Sequence, residues 1–210
     1  MASFDTAYTK YIKPAEGGYA NVTGDKGGET YAGIARNYWG SWSGWPKIDA
    51  KKSQYSGGVI PRNTIFKDLG ADTTAFYRQW WDRKYYGQIN SQDVANLLFD
   101  YDINSGATAI KAIQNLVGVT ADGAMGPNTI AAINKADATK LYNNLLAQRK
   151  ANFERIVAND PSQQKFWNGW MSRLSNFPEL VTPTNTVIVL VVIGALIWAG
   201  YSMVNAKATT

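Results

Sequence analysis

The chain has 210 residues, of which 45% are hydrophobic and 18% charged, with 7 Pro and 19 Gly. This composition excludes whole-chain disorder and collagen-like sequence, and it suits one globular domain with room for an appendage. There is no Cys and no His, which excludes disulfide scaffolds, thiolate and imidazole metal sites, cysteine nucleophiles and histidine bases.

Acid–base chemistry must then come from Asp, Glu, Lys or Tyr. Two carboxylates are the commonest histidine-free arrangement, and glycoside hydrolysis is their best-known use. The net charge of +5 reads either as a solvated basic surface or as attraction to an anionic polymer. No basic run of nucleic-acid-binding type is present.

In chain order, Phe4, Ala7, Tyr8, Tyr11 and Ile12 recur with helical period, and Pro14 to Gly18 should end that helix. The stretch MASFDTAYTKYIKP has no hydrophobic run of the signal-peptide kind. Residues 19–70 are rich in Gly, Ser, Asn and Thr and read as loops around a short hairpin. Within them Trp39, Trp42 and Trp45 are spaced by three, as a sugar-stacking loop or as satellite core. Asp72 or Thr73 is expected to cap a helix to about Tyr86, with Phe76, Trp80 and Lys84 on one face, and Ser91 another through Tyr101. Further helices are expected around Ala109–Val117, from Pro127, over about 138–158, and through Phe166–Leu174. The fold class expected is mainly α, with no internal repeat.

Composition shifts near Pro183. Val187 to Val204 is an uncharged run of 18 residues, the short end of what crosses a bilayer, with Trp198 and Tyr201 toward one end. It reads as a C-terminal transmembrane anchor, or otherwise as a buried helix. A polar stripe would mark the latter, and none is present.

The loop after the first helix is the most informative stretch: Glu16-Gly17-Gly18-Tyr19, then Asp25, Gly27, Gly28, Thr30, Tyr31, Gly33 and Ile34. A glutamate at a helix C-terminus faces the negative end of the dipole, which raises its pKa. That costs the helix stability and suits a general acid. A hairpin would fold Asp25 and Thr30 back toward Glu16. Asp25 would then activate a water or stabilise an oxocarbenium-like centre, and Thr30 would orient that water. The competing reading is a surface ion pair beside structural turns.

The string EGGYANVTGDKGGETYAGIA resembles the opening of glycoside hydrolase family 108, the lysozyme-like N-acetylmuramidases of phage endolysins and bacterial secretion-activator proteins. The family's catalytic glutamate falls on Glu16. The resemblance continues through Tyr77, Trp80 and Trp81, then through Phe99, Asp100, Asn104, Gly106 and Gln114. It extends to Asp122, Gly123, Gly126, Pro127 and Thr129 of a peptidoglycan-binding region. The Glu–Asp–Thr spacing is also similar to that of phage-type lysozymes, an analogy of fold. The longer, Trp-rich stretch 39–58 and the apolar tail depart from the family pattern.

The resemblance implies a lysozyme-like catalytic region over 1–104, a helical peptidoglycan-binding region over 105–181, and a linker with anchor over 182–210. It implies cleavage of the β-1,4 bond between N-acetylmuramic acid and N-acetylglucosamine, with catalytic Glu16, Asp25 and Thr30. Candidate substrate contacts are Tyr19, Tyr31, Trp39, Tyr101 and Asn104. No metal or cofactor and no nucleic acid is expected. The expected partners are peptidoglycan and, through 187–204, a lipid membrane, either a virion membrane or the host inner membrane. Asp100 and Asp102 read as supporting carboxylates or as helix-surface charges. Gly126 reads as a positive-φ turn residue. The competing functions are a catalytically silent, membrane-anchored wall-binding or virion protein, and a membrane-perturbing protein acting through its tail.

Overall fold

The structure, a computed structural model, describes residues 1–23 and 27–181. Asp25 and the apolar run 187–204 lie outside the described residues. Among the described residues, no helix is long and apolar enough to cross a membrane.

The first helical stretch has three pieces: α1 (Phe4–Ala7), a π-helical turn (Tyr8–Ile12) and α2 (Lys13–Ala15). Ser3 caps it by accepting from the Thr6 N–H. The wider turn keeps Tyr8, Tyr11 and Ile12 all buried, a distortion that 3.6-residue periodicity does not announce. The helix stops before Glu16, whose backbone is extended (φ −92°, ψ 124°) while its N–H still donates to the Ile12 carbonyl.

Residues 19–35 form a small antiparallel meander of β1 (Tyr19–Ala20), β2 (Thr30–Tyr31) and β3 (Ile34–Ala35), with Tyr19 opposite Tyr31 and Tyr31 opposite Ile34. Two-residue strands are too short to stand alone. Side chains hold them. The Tyr31 ring stacks with Trp42 and Phe66 at 6.0 and 5.8 Å, and its hydroxyl donates to the Phe66 carbonyl and accepts from the Phe66 N–H. Glu29 accepts from Tyr19 Oη and pairs with Arg36 and Lys52, which also pair with Asp49. That network ties the meander to α3 (Gly44–Lys52). Sequence periodicity does not reveal α3, because only Gly44, Trp45 and Ile48 of its nine residues are buried.

The remaining helices are α4 (Gly70–Arg83), α5 (Gln92–Ser105), α6 (Ala107–Val117), α7 (Pro127–Lys135), α8 (Ala138–Asn159) and α9 (Trp167–Leu174). Ser91 caps α5 and Pro127 opens α7. Helix α4 starts before the expected Asp72/Thr73 cap, because a 3-10 turn over Lys67–Leu69 feeds into it.

Helix α5 is the axis of the fold. Every residue from Val94 to Asp102 is buried, with α1, α6 and α8 packed around it. Burying Leu97, Leu98 and Phe99 stabilises the fold by roughly 1.5–3 kcal/mol each. It also forces Asp100 and Asp102 into the interior, where each must be paired.

The turn before α7 is locked by Gln114. Its amide donates to Asp122 Oδ1, the Ala124 carbonyl and Thr129 Oγ1, and it accepts from the Gly123 N–H. Gly123 carries the left-handed backbone (φ 81°) expected of Gly126. Gly126 is extended at φ −154°, because it is the N-cap that precedes Pro127.

Candidate active site

Glu16 leaves the end of α2 and turns inward, with its side chain 12% exposed. It lines a cavity of about 330 Å³ together with Tyr8, Tyr31, Ala32, Thr73 and Tyr77. The β2–β3 hairpin turn sits directly against the carboxylate. Ala32 and Gly33 both have positive φ (47° and 76°), as a two-residue mirror-type turn requires. A Cβ on Gly33 would lie 1.9 Å from Glu16 Oε2, so only glycine leaves the carboxylate room. Ala32 pays for its left-handed backbone by about 1–2 kcal/mol. Tyr77 Oη, 2.8 Å away, donates to the Ala32 carbonyl and holds it there.

The other carboxylate oxygen is met from the far end of the chain. Arg173 Nη2, on α9, lies 3.1 Å from Glu16 Oε1 and 2.8 Å from Asp100 Oδ1, and Arg173 Nε donates to both Asp100 oxygens. Asp100 Oδ2 is in turn 2.6 Å from Arg149 Nη2, on α8. Asp100 and Arg149 are both fully buried. That arginine contact is an ion pair out of line for a hydrogen bond, and the guanidinium carbon packs over the rings of Tyr101, Phe153 and Phe177 at 5.3–5.8 Å.

A chain of alternating charges, Glu16–Arg173–Asp100–Arg149, therefore runs inward from the cavity. Burial pushes the Glu16 carboxyl up. The Arg173 charge and hydrogen bond pull it down, and the like charge of Asp100 pushes it up again. The net direction is above the ordinary carboxyl value. Glu16 is thus a carboxyl with a raised pKa that opens on a cavity. Asp100, clamped by two guanidinium groups, is not free to act as a nucleophile.

The other sequence-predicted site residues fall in different places. Thr30 is on β2, half-buried, with Oγ1 donating to the Gly28 carbonyl at 3.3 Å. Tyr31 lines the cavity but is only 4% exposed, its hydroxyl engaged by Phe66. Tyr19 is a buried partner of Glu29, and burial followed by that carboxylate pushes its pKa up to about 12. Tyr101 is 1% exposed against Arg149. Tyr19 and Tyr101 are therefore packing residues in this structure, because their rings fill the core and have no face left for a ligand.

Asn104 is exposed, and its amide donates back to the Asp100 carbonyl within α5. The tryptophan triplet divides. Trp42 and Trp45 are core, each with its indole N–H satisfied by a backbone carbonyl, while Trp39 remains half-buried beside α4. Asp102, the other interior carboxylate, accepts from Trp80 Nε1, Lys84 Nζ and Tyr86 Oη. Neither Asp100 nor Asp102 is a surface charge.

Sequence reasoning missed Arg149 and Arg173. A signal was present for the first. Leu141, Leu145, Arg149 and Phe153 recur every four residues on α8 and are all buried. An arginine on such a stripe needs an interior carboxylate. Nothing comparable singles out Arg173.

Residues 9–106 match the family model described as glycosyl hydrolase 108, and residues 108–175 match one described as a predicted peptidoglycan domain. A solved structure of SagA from Brucella abortus is similar over 83% of this chain and 92% of that one, at 27% identity and a TM-score of 0.60. No curated protein matches the chain.

Proposed function

We propose that this chain, a glycosyl hydrolase 108-type region followed by a peptidoglycan-binding region, is a muramidase. It cleaves the β-1,4 bond between N-acetylmuramic acid and N-acetylglucosamine, with Glu16 as general acid. The observation that carries the reading is the Glu16 carboxyl itself. It is nearly buried, raised above the ordinary carboxyl value, and opens on a cavity within the matched region. Glu16 gives its proton to the glycosidic oxygen as the bond from that oxygen to the anomeric carbon breaks. Positive charge then develops on the sugar, and a water oxygen bonds to the anomeric carbon while its proton passes to a carboxylate, Asp25 or the ionised Glu16. Asp25, outside the described residues, and Thr30 are proposed to stabilise that charge and aim the water.

Digestion of purified peptidoglycan by the full chain, with mass spectrometry of the fragments, tests the reading. Reducing N-acetylmuramic acid ends are expected. Reducing N-acetylglucosamine ends would reassign the bond. Binding without products would point instead to a silent wall-binding protein.

The raised carboxyl fixes the sign of the pH dependence. A general acid works protonated, so kcat/KM should fall as pH rises through the Glu16 pKa, about tenfold per pH unit beyond it. That descending limb should lie above 4.5, the ordinary value. A limb at or below it would remove the role assigned to burial.

Gly33→Ala is a structural probe of the same carboxylate. The added methyl must displace Glu16 Oε2 and adopt φ 76°. We expect a stability loss of about 1–3 kcal/mol and a fall in kcat/KM of at least about tenfold, the size a displaced catalytic group produces. Thermal unfolding beside initial rates checks it.

Residues 187–204 are proposed as a membrane anchor that confines cutting to the wall beside a virion or host membrane, for infection or lysis. Flotation with vesicles should carry the full chain and leave a 1–181 truncation behind. Equal behaviour would remove the anchor.

A further inference from the structure

A second cavity, about 440 Å³, lies beside the first and shares no lining residue with it. Helix α4 supplies one wall of each: Thr73 and Tyr77 face the Glu16 cavity, while Phe76, Gln79, Trp80 and Arg83 face the other. Phe76 of the second meets Tyr77 of the first edge-on, 5.3 Å between ring centres. A volume of this size is in the range that holds small ligands, roughly 300–1,000 Å³.

The floor of this groove is aromatic and fixed. Trp39 meets Phe76 edge-on at 5.1 Å and Trp80 at 5.3 Å, and all three rings are half-buried. Trp80 cannot turn freely, because its Nε1–H donates to the buried Asp102 at 2.7 Å and Lys84 Nζ sits 5.5 Å from its ring centre. Rings held in place bind without first losing rotamer freedom.

The rim is polar, and its charges are mostly spent. Lys84 is paired with Asp102, and Asp72 is paired with Lys47 and accepts from Ser43. Arg83 is the exception. It is exposed, lies three residues from Trp80 on the same helix face, and makes no ion pair or hydrogen bond among the described residues. Gln79 beside it makes none either.

Aromatic faces pack on the apolar face of a pyranose, a free guanidinium recognises a carboxylate, and a free amide matches an N-acetyl group. We propose that this groove is a glycan subsite that takes an N-acetylated pyranose carrying a carboxylate, with Trp39, Phe76 and Trp80 beneath the ring and Arg83 on the acid. The inference rests on the muramidase reading for the polymer, and it adds where an acidic sugar is gripped away from the bond that breaks.

The test uses the full chain carrying Glu16→Gln to stop turnover, titrated by calorimetry. The probes are a peptide-free tetrasaccharide of alternating N-acetylglucosamine and N-acetylmuramic acid, the neutral tetramer of N-acetylglucosamine, and the same acidic tetrasaccharide bearing stem peptides. Two exposed positions are changed in that background. Ala75→Trp fills the groove, and Arg83→Glu inverts its charge; far-UV and near-UV spectra confirm that both fold.

Ala75→Trp should weaken all three glycans by at least about tenfold, and Arg83→Glu should weaken the acidic ones about tenfold while changing the neutral one less than about twofold. An Arg83 effect confined to the stem-peptide glycan would assign the recognised carboxylate to the peptide rather than to the sugar's own acid. If both variants bind all three probes as the parent does, the groove is not a subsite. That result would leave the muramidase reading intact, because product analysis of the unmodified chain decides it separately.

Discussion

Glu16→Gln is expected to lower turnover on peptidoglycan by about 10²–10⁴-fold, the usual contribution of a positioned general acid, with little change in wall binding. Glutamine fills the same space between Gly33 and Arg173 and cannot release a proton to the leaving oxygen. The same substitution has a second, opposite signature. A carboxyl whose folded pKa is raised binds its proton more tightly in the folded state. Its contribution to stability is therefore fully present below the ordinary value of 4.5 and is lost as pH rises through the folded value. The variant has no such loss. Its melting temperature should exceed that of the parent at neutral pH, and the difference should close as pH falls below 4.5. Rates and melting curves measured on the same samples check both halves. An inactive variant with a lowered neutral melting temperature would mean that Glu16 serves the fold.

Asp100→Ala should be the most damaging single change to stability, about 3–5 kcal/mol, because it strands a fully buried Arg149 without a counter-charge. Denaturant unfolding of the variant beside the parent measures it. The double change Asp100→Leu with Arg149→Met should recover most of the loss, since a buried ion pair is often replaceable by apolar side chains of similar volume. The recovered protein then isolates the electrostatic role. Asp100 pushes the Glu16 carboxyl up and shares Arg173 with it. Without Asp100, Arg173 is left to Glu16 alone, and the descending limb of the pH profile should move to lower pH. A limb that stays in place would show that the inner charges serve packing only.

Much of this was legible in the sequence where one residue type had one physical use. Ser91 and Pro127 marked helix starts, and the periodic apolar residues of α5, α6 and α8 marked the helical body. Glu16 stood out because a carboxylate at a helix C-terminus needs an explanation. The failures have equally local causes. Tyr19 and Tyr101 are candidate ligand contacts in the sequence, yet both are buried, while Trp42 and Trp45 follow the core alternative and not the sugar-stacking one. A tyrosine that stacks on sugar and one that closes a core look alike until its neighbours are known. The left-handed turn at Ala32 was hidden because alanine rarely adopts it, and only the contact with Tyr77, 45 residues later, makes it tenable. The partners of Asp100 lie 49 and 73 residues downstream in helices whose repeats advertise packing and not charge.

The contact between Glu16 and Arg173 spans 157 positions. Ribosomes deliver a chain from its N-terminus, and early segments fold before late ones exist. The carboxylate, its turn and its cavity wall are all made within the first half of synthesis. The guanidinium that completes their charge balance arrives only when α9 emerges. A nascent chain of this design holds Glu16 without its Arg173 partner for most of its translation. The ion pair forms only when α9, the last of the described helices, docks, so one closing contact completes both the described fold and the charge balance around Glu16.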